Sequence, residues 1–173
     1  MFETVWPELE GVVPAGEPVA HDGEETITDF PVSLAAPHGR FFDYAALHLV
    51  TTASLDRLHE LHPSGRFEAR RYRPNLVVAP VSGETSFVEN DWAERTLAIG
   101  DELRIRVTLP SPRCVMTTMA QGDLPKDHGI LRAATHNMLE VGEYGRFPCV
   151  GVYADVLRHG TVRRGDPVRL DDY

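Results

Sequence analysis

Residues 101–114 read Asp101-Glu102-Leu103-Arg104-Ile105-Arg106-Val107-Thr108-Leu109-Pro110-Ser111-Pro112-Arg113-Cys114. Leu103, Ile105, Val107 and Leu109 fall at every second position and share one face, while Arg104, Arg106 and Thr108 take the other. An alternation of period two marks a strand half buried in a sheet, so residues 101–109 are predicted as a strand. Pro110 and Pro112 then stiffen a turn that delivers the thiol of Cys114 directly after the guanidinium of Arg113. A cation beside a thiol favours the thiolate, the form that bonds a soft metal or attacks sulfur. The alternative for any free cysteine is a small buried hydrophobe.

Outward from this strand, the apolar runs at 76–79, 85–88 and 97–99 are short, rich in β-branched residues and bounded by Gly, Pro or Asp, the pattern of a mainly β domain. Tyr44, Leu47, Leu49 and Val50 read as an earlier strand. Thr51-Thr52-Ala53-Ser54 supplies hydroxyls where a helix begins, and Leu55, Leu58 and Leu61 follow at helical spacing. A second helix is predicted over 129–141, where Ile130, Leu131, Ala134, Met138 and Val141 recur at three- or four-residue steps. After a turn at 142–148, residues 149–156 read as a buried strand, and 161–162 and 167–170 as short closing strands. Residues 1–40 hold Pro7, Pro14, Pro18, Pro31 and Pro37 and the acidic stretch 22–25 with no apolar period, which predicts extended or edge structure ahead of one domain over 41–173.

The 173 residues suffice for one domain with a core, and 42% apolar with 25% charged is an ordinary globular balance. The net charge of −9 repels nucleic acid and anionic membrane surfaces, so neither is expected as a partner, and an anionic ligand must be held by a local arginine cluster. With no apolar run of bilayer-spanning length, no leader-like start, and two cysteines outside any CxxC pair, the reading is a cytoplasmic chain with free thiols.

Arg70-Arg71-Tyr72-Arg73-Pro74-Asn75 is the candidate anion-binding segment. Arginine clamps phosphate by paired hydrogen bonds, and Asn75 adds a donor. Arg73 is restricted by the proline after it, whereas Arg70 and Arg71 read equally well as a solvated basic face. His59 and His62 flank Glu60 without a third ligand nearby, which favours surface over metal. Asp127, His128, His136 and Asn137 flank the second helix, with Asp127 a candidate cap or cleft residue. Cys149 sits in an apolar run and reads as a buried structural thiol.

Taken in order, Leu47-His48-Leu49-Val50-Thr51-Thr52-Ala53-Ser54, Arg73-Pro74-Asn75-Leu76-Val77-Val78, Ile99-Gly100 to Arg104, Pro112-Arg113-Cys114, Gly151-Val152-Tyr153-Ala154 and Gly165-Asp166-Pro167-Val168 resemble the MOSC domain. That domain is named after the C-terminal part of molybdenum cofactor sulfurase and also occurs in amidoxime-reducing components. The resemblance spans about residues 41–170 and implies a β-barrel-like fold with a few short helices and a cleft for a molybdenum–pterin cofactor of the molybdopterin type. It makes Cys114 the metal ligand and catalytic residue. It assigns Thr52 and Ser54 to the hydroxyl segment near the cofactor, Arg73 and Asn75 to its phosphate, Arg113 to cofactor contact beside the ligand, and Tyr153 to the cleft wall. Pyridoxal phosphate binding is a further property attached to the wider family.

The function so implied is reduction of N-hydroxylated small molecules with electrons from a partner protein. Members of the amidoxime-reducing branch carry a preceding N-terminal β-barrel that lends basic residues to the cofactor, and residues 1–40 read as a remnant of it. Two alternatives therefore stay open: a cofactor-binding or carrier module fed by a delivery protein, and a sulfur carrier using a Cys114 persulfide.

Overall fold

A computed structural model describes residues 44–81 and 85–171; the segment 1–40 lies outside them. In chain order the elements are β1 (Leu47–Thr51), α1 (Thr52–Leu61), β2 (Leu76–Val78), β3 (Thr96–Ile99), β4 (Leu103–Pro112), α2 (Gly129–Ala134), β5 (Met138–Glu140), β6 (Arg146–Arg158) and β7 (Val168–Asp171), with 3-10 turns between several of them. The strands form a curled half-barrel sheet in the order β2-β1-β6-β4-β3-β7, and β5 pairs with the start of β6. The mainly β expectation is met. Only the β1–β2 pair is parallel among the described strands, and α1 makes the crossover between them.

Alternation along the strands divides the apolar residues between two cores. Leu49, Leu97, Ile99, Leu103, Ile105, Val107, Val152 and Ala154 pack together on one face. Val50, Val150, Leu58, Phe67, Tyr72, Ile130, Ala133 and Ala134 pack on the other, beneath α1 and α2. Leu49 and Val50 are neighbours in sequence yet belong to different cores, because successive strand residues point to opposite faces. Each fully buried Leu, Ile or Val contributes roughly 1.5–3 kcal/mol by removal from water.

Four local expectations are corrected. Residues 110–112 are not a turn: β4 runs through Pro112, and register shifts at 107–109 and 110–112 let the two prolines, which cannot donate to the ladder, sit at irregular positions. The helix predicted over 129–141 stops at Ala134. His136 N and Asn137 N bond the carbonyls of Ala133 and Ala134, tightening the chain, and residues 138–140 are captured by β6. Residues 85–88 are not a strand. Val88–Trp92 forms a 3-10 turn that buries Glu89 against the end of β1. Residues 161–162 carry no strand, since the closing strand begins at Val168.

Candidate functional site

Cys114 stands where β4 ends. Its residue is exposed with an extended backbone, and it opens a 3-10 turn, Val115–Thr118, in which Thr117 N and Thr117 Oγ1 donate to the Cys114 carbonyl at 3.3 and 3.0 Å. Val115, Met116 and Met119 are exposed beside it. The guanidinium that the sequence sets next to the thiol is committed elsewhere. Arg113 Nε donates to the Val150 carbonyl at 2.9 Å, Nη2 bonds His48 Nε2, and the guanidinium carbon lies 5.5 Å from the Tyr72 ring centroid. Arg113 N also donates to the Pro148 carbonyl at 2.8 Å, so this residue fastens the end of β4 to β6.

His48 is the centre of that arrangement. It faces Tyr153 across the β1–β6 pair, with ring centroids 5.8 Å apart, and Tyr44 stacks on Tyr153 at 5.4 Å and meets Tyr144 edge-on at 6.4 Å. Burial lowers the His48 pKa to about 3, helped by the Arg113 charge, so the ring is neutral and can accept a proton-bearing nitrogen. Space for it comes from Gly151, whose φ is +81. A Cβ there would fall 2.2 Å from the Leu49 carbonyl oxygen and 2.7 Å from His48 Nε2. Burial, then a hydrogen bond between the Tyr44 and Tyr144 side chains that favours protonated Tyr44, raises the Tyr44 pKa.

The hydroxyl segment is organised by a residue the sequence reading missed. Glu89, 1% exposed, accepts from Thr51 Oγ1 and Ser54 Oγ at 2.6 Å each, and from Gly151 N at 3.2 Å. Thr51 also caps α1 by accepting from Ser54 N. Ser54 is thus buried against a carboxylate, while Thr52 at the first turn of α1 is half-buried. The only hint of Glu89 in the sequence is one acid after the apolar pair Phe87-Val88.

Arg73 and Asn75 lie just before β2 on the same side as His48. Asn75 Oδ1 accepts from His48 N and Asn75 N donates to the His48 carbonyl, both at 2.8 Å, so Asn75 also fixes β1. Arg73 departs from the extended backbone expected before a proline. Its φ is +53, a left-handed conformation that costs roughly 1–2 kcal/mol. The turn brings its carbonyl to the His48 ring, and its exposed side chain stays at the surface.

Arg71, read as an alternative surface cation, is instead 2% exposed and bonded to backbone carbonyls. Arg70 does lie at the surface, with Arg66, in ion pairs to Glu68 and Asp123. His59 and His62 do not converge: His59 Nδ1 contacts the Gly65 carbonyl, and His62 Nε2 meets Asp127 Oδ2 at 2.9 Å. Asp127 Oδ1 accepts from the N–H of Gly129, the first residue of α2, at 2.8 Å, one residue ahead of the helix N-cap His128. Asn137 pairs with Asn90 and the Cys149 carbonyl rather than lining a cleft. His128 and His136 are exposed. Cys149 is fully buried, as expected, and burial raises its thiol pKa to about 11.

Among the described residues no three His, Cys, Asp or Glu side chains gather as a metal cage. The exposed donors here are the soft thiol of Cys114, Arg73 and Asn75, chemistry that suits a soft metal and a phosphate, whereas Tyr153 is 5% exposed and packs inside against His48 and Tyr44. Two buried hydroxyls, Tyr72 and Ser111, lack a hydrogen-bond partner among the described residues, and both neighbour Arg113 in contact or in sequence.

Residues 37–169 match the sequence profile described as the MOSC domain. The chain is similar to mitochondrial amidoxime reducing component 2 of Homo sapiens and of Rattus norvegicus, 30% and 31% identical over 131 residues, 73% of this chain and 37% of each relative. It is also similar to mitochondrial amidoxime-reducing component 1 of Mus musculus, 28% identical over 135 residues, 75% of this chain and 38% of the relative. The chain spans little more than a third of the length of these relatives. With most of its length under one profile and a curled sheet that ends its central strand at an exposed cysteine, the chain belongs to the MOSC domain family.

Proposed function

We propose that this domain binds a molybdenum–pterin cofactor through the Cys114 thiolate and takes part in the reduction of N-hydroxylated small molecules, with electrons delivered by a partner protein. The observation that carries the reading is the exposed thiol at the end of β4, in a domain whose relatives are named for amidoxime reduction. When bound, the cofactor supplies two-electron redox chemistry with oxygen exchange. The chain supplies the rest. Cys114 would hold the metal, Arg73 and Asn75 would meet the phosphate, and Thr52 would offer a hydroxyl at the start of α1. Tyr153, buried against His48 and Tyr44, would support the site from behind rather than line it. Ser54 and Arg113 act one step removed, because their polar groups already serve Glu89, and His48 with Val150.

Pyridoxal phosphate forms no part of the proposal. Its Schiff base needs a lysine, and the chain's single lysine, Lys126, is exposed on the loop before α2.

The test is the molybdenum and pterin content of wild type and Cys114→Ser, both expressed in a cofactor-producing host. Metal near one per chain in the wild type and lost in the variant is expected, followed by turnover of N-hydroxylated substrates with a reductant. Metal without turnover assigns a carrier role. Equal metal in both proteins rejects Cys114 as the ligand, and labile sulfur without metal assigns a persulfide carrier.

A further inference from the structure

The segment that carries Cys114 has little secondary structure to hold it. Between the end of β4 and the start of α2 lie one short 3-10 turn and a bridge between Gln121 and Leu124, with Val115, Met116 and Met119 open to solvent. Such a segment opens easily unless something under it is fixed. What lies under it is a buried cation. Arg71 Nη1 donates to the carbonyls of Thr117 and Met119 at 3.0 and 3.1 Å, Nη2 to that of Pro125 at 3.2 Å, and Nε to that of Arg66 at 3.1 Å. Among the described residues no carboxylate pairs with this guanidinium. The segment answers in kind: Gln121 Nε2 donates to the Arg71 carbonyl at 3.3 Å and to the Met116 carbonyl at 3.4 Å.

We infer that Arg71 is the positioning residue for Cys114, holding the loop in the one shape that presents the thiol. The connection is short: the Cys114 carbonyl is bonded by Thr117, and the Thr117 carbonyl by Arg71. Arginine is required for a chemical reason. Its planar fork offers five N–H donors in fixed directions, enough for four carbonyls, whereas the ammonium of lysine offers three from a single point. A surface cation would be worth little here. A buried one that gives three of its four hydrogen bonds to a single loop makes that loop's shape depend on it. The link from loop shape to metal retention rests on Cys114 being the metal ligand; the link from Arg71 to loop shape does not.

The experiment compares wild type, Arg71→Lys and Arg71→Met as full chains, by amide hydrogen exchange and by molybdenum retained after gel filtration. Arg71→Met is expected to speed exchange across residues 115–125 by about tenfold or more while β1 and β6 keep their protection. It also loses metal that the wild type holds, with Arg71→Lys between the two. Exchange that is unchanged, or that rises equally in every element, overturns the inference by making Arg71 either idle or a general stabiliser. If neither wild type nor variant holds metal, the proposed cofactor function fails, and the exchange pattern alone decides the role of Arg71. Should Arg71→Met not fold, Gln121→Ala removes the reciprocal bonds from the exposed side, and the same local change in exchange is expected; its absence counts against the inference.

Discussion

Acidification to about pH 5 should destabilise this domain chiefly through one imidazole. His48 is buried and neutral, with its pKa lowered to about 3 against 6.5 for a free side chain, first by desolvation and then by the Arg113 guanidinium at its Nε2. The unfolded chain takes up a proton below 6.5, and the folded one does not until about 3. The stability contributed by a neutral His48 is therefore complete above 6.5 and lost as pH falls through the window between the two values, at about 1.4 kcal/mol per pH unit. Between about pH 7.5 and pH 5 the loss comes to about 2 kcal/mol, a large fraction of a typical domain's stability. The assay is urea unfolding at the two pH values for wild type and His48→Gln. The glutamine keeps a polar group in the space beside Gly151 but cannot titrate. The wild-type difference should exceed that of the variant by about 2 kcal/mol, with the exposed histidines contributing equally to both. Equal pH dependence in the two proteins would refute the argument and mean that His48 is protonated, or solvated, in the fold.

Replacing Glu89 by Ala leaves the buried hydroxyls of Thr51 and Ser54 and the N–H of Gly151 without their acceptor. It should cost about 3 kcal/mol in urea unfolding, with Glu89→Gln costing less. Gly151→Ala meets a carbonyl oxygen at 2.2 Å in a left-handed backbone and should leave little soluble protein on expression. Burial works against ionisation of Asp127, but the hydrogen bonds from His62 and Gly129 outweigh it and lower its pKa. Its contribution is thus present above the usual carboxylate range and lost at lower pH, so Asp127→Ala should cost about 1 kcal/mol at neutral pH and show a flatter acid limb by circular dichroism. A thiol reagent such as DTNB at about pH 8 should find one fast group in the native protein, Cys114, and a second only on unfolding, because Cys149 is fully buried and its pKa is raised to about 11. Two fast thiols would contradict the β5–β6 packing.

What residues 101–114 determine by themselves is local. Alternation at Leu103, Ile105 and Val107 requires a strand with one buried face whatever lies opposite. The hydroxyls before Leu55 start a helix, and the order of six short segments is enough to resemble a domain family. These signals repeat along the chain at the period of the backbone, so they survive without knowledge of partners. The roles of charged and polar groups do not. From sequence Arg71 reads equally as an anion clamp or a surface cation, Arg113 as a companion to the thiol, and Ser54 as a hydroxyl near the cofactor, while Glu89 and His48 draw no role. Each is settled by a group far away in sequence: Ser54 by Glu89 at a separation of 35, Arg71 by Thr117 at 46, Arg113 by His48 at 65. The same holds for residues 138–140, whose helical spacing yielded to pairing with β6. Burying a charge is costly unless the surrounding fold supplies its hydrogen bonds. Only closure of the sheet, which brings those groups together, decides which charged residues go inside and which stay at the surface to meet a ligand.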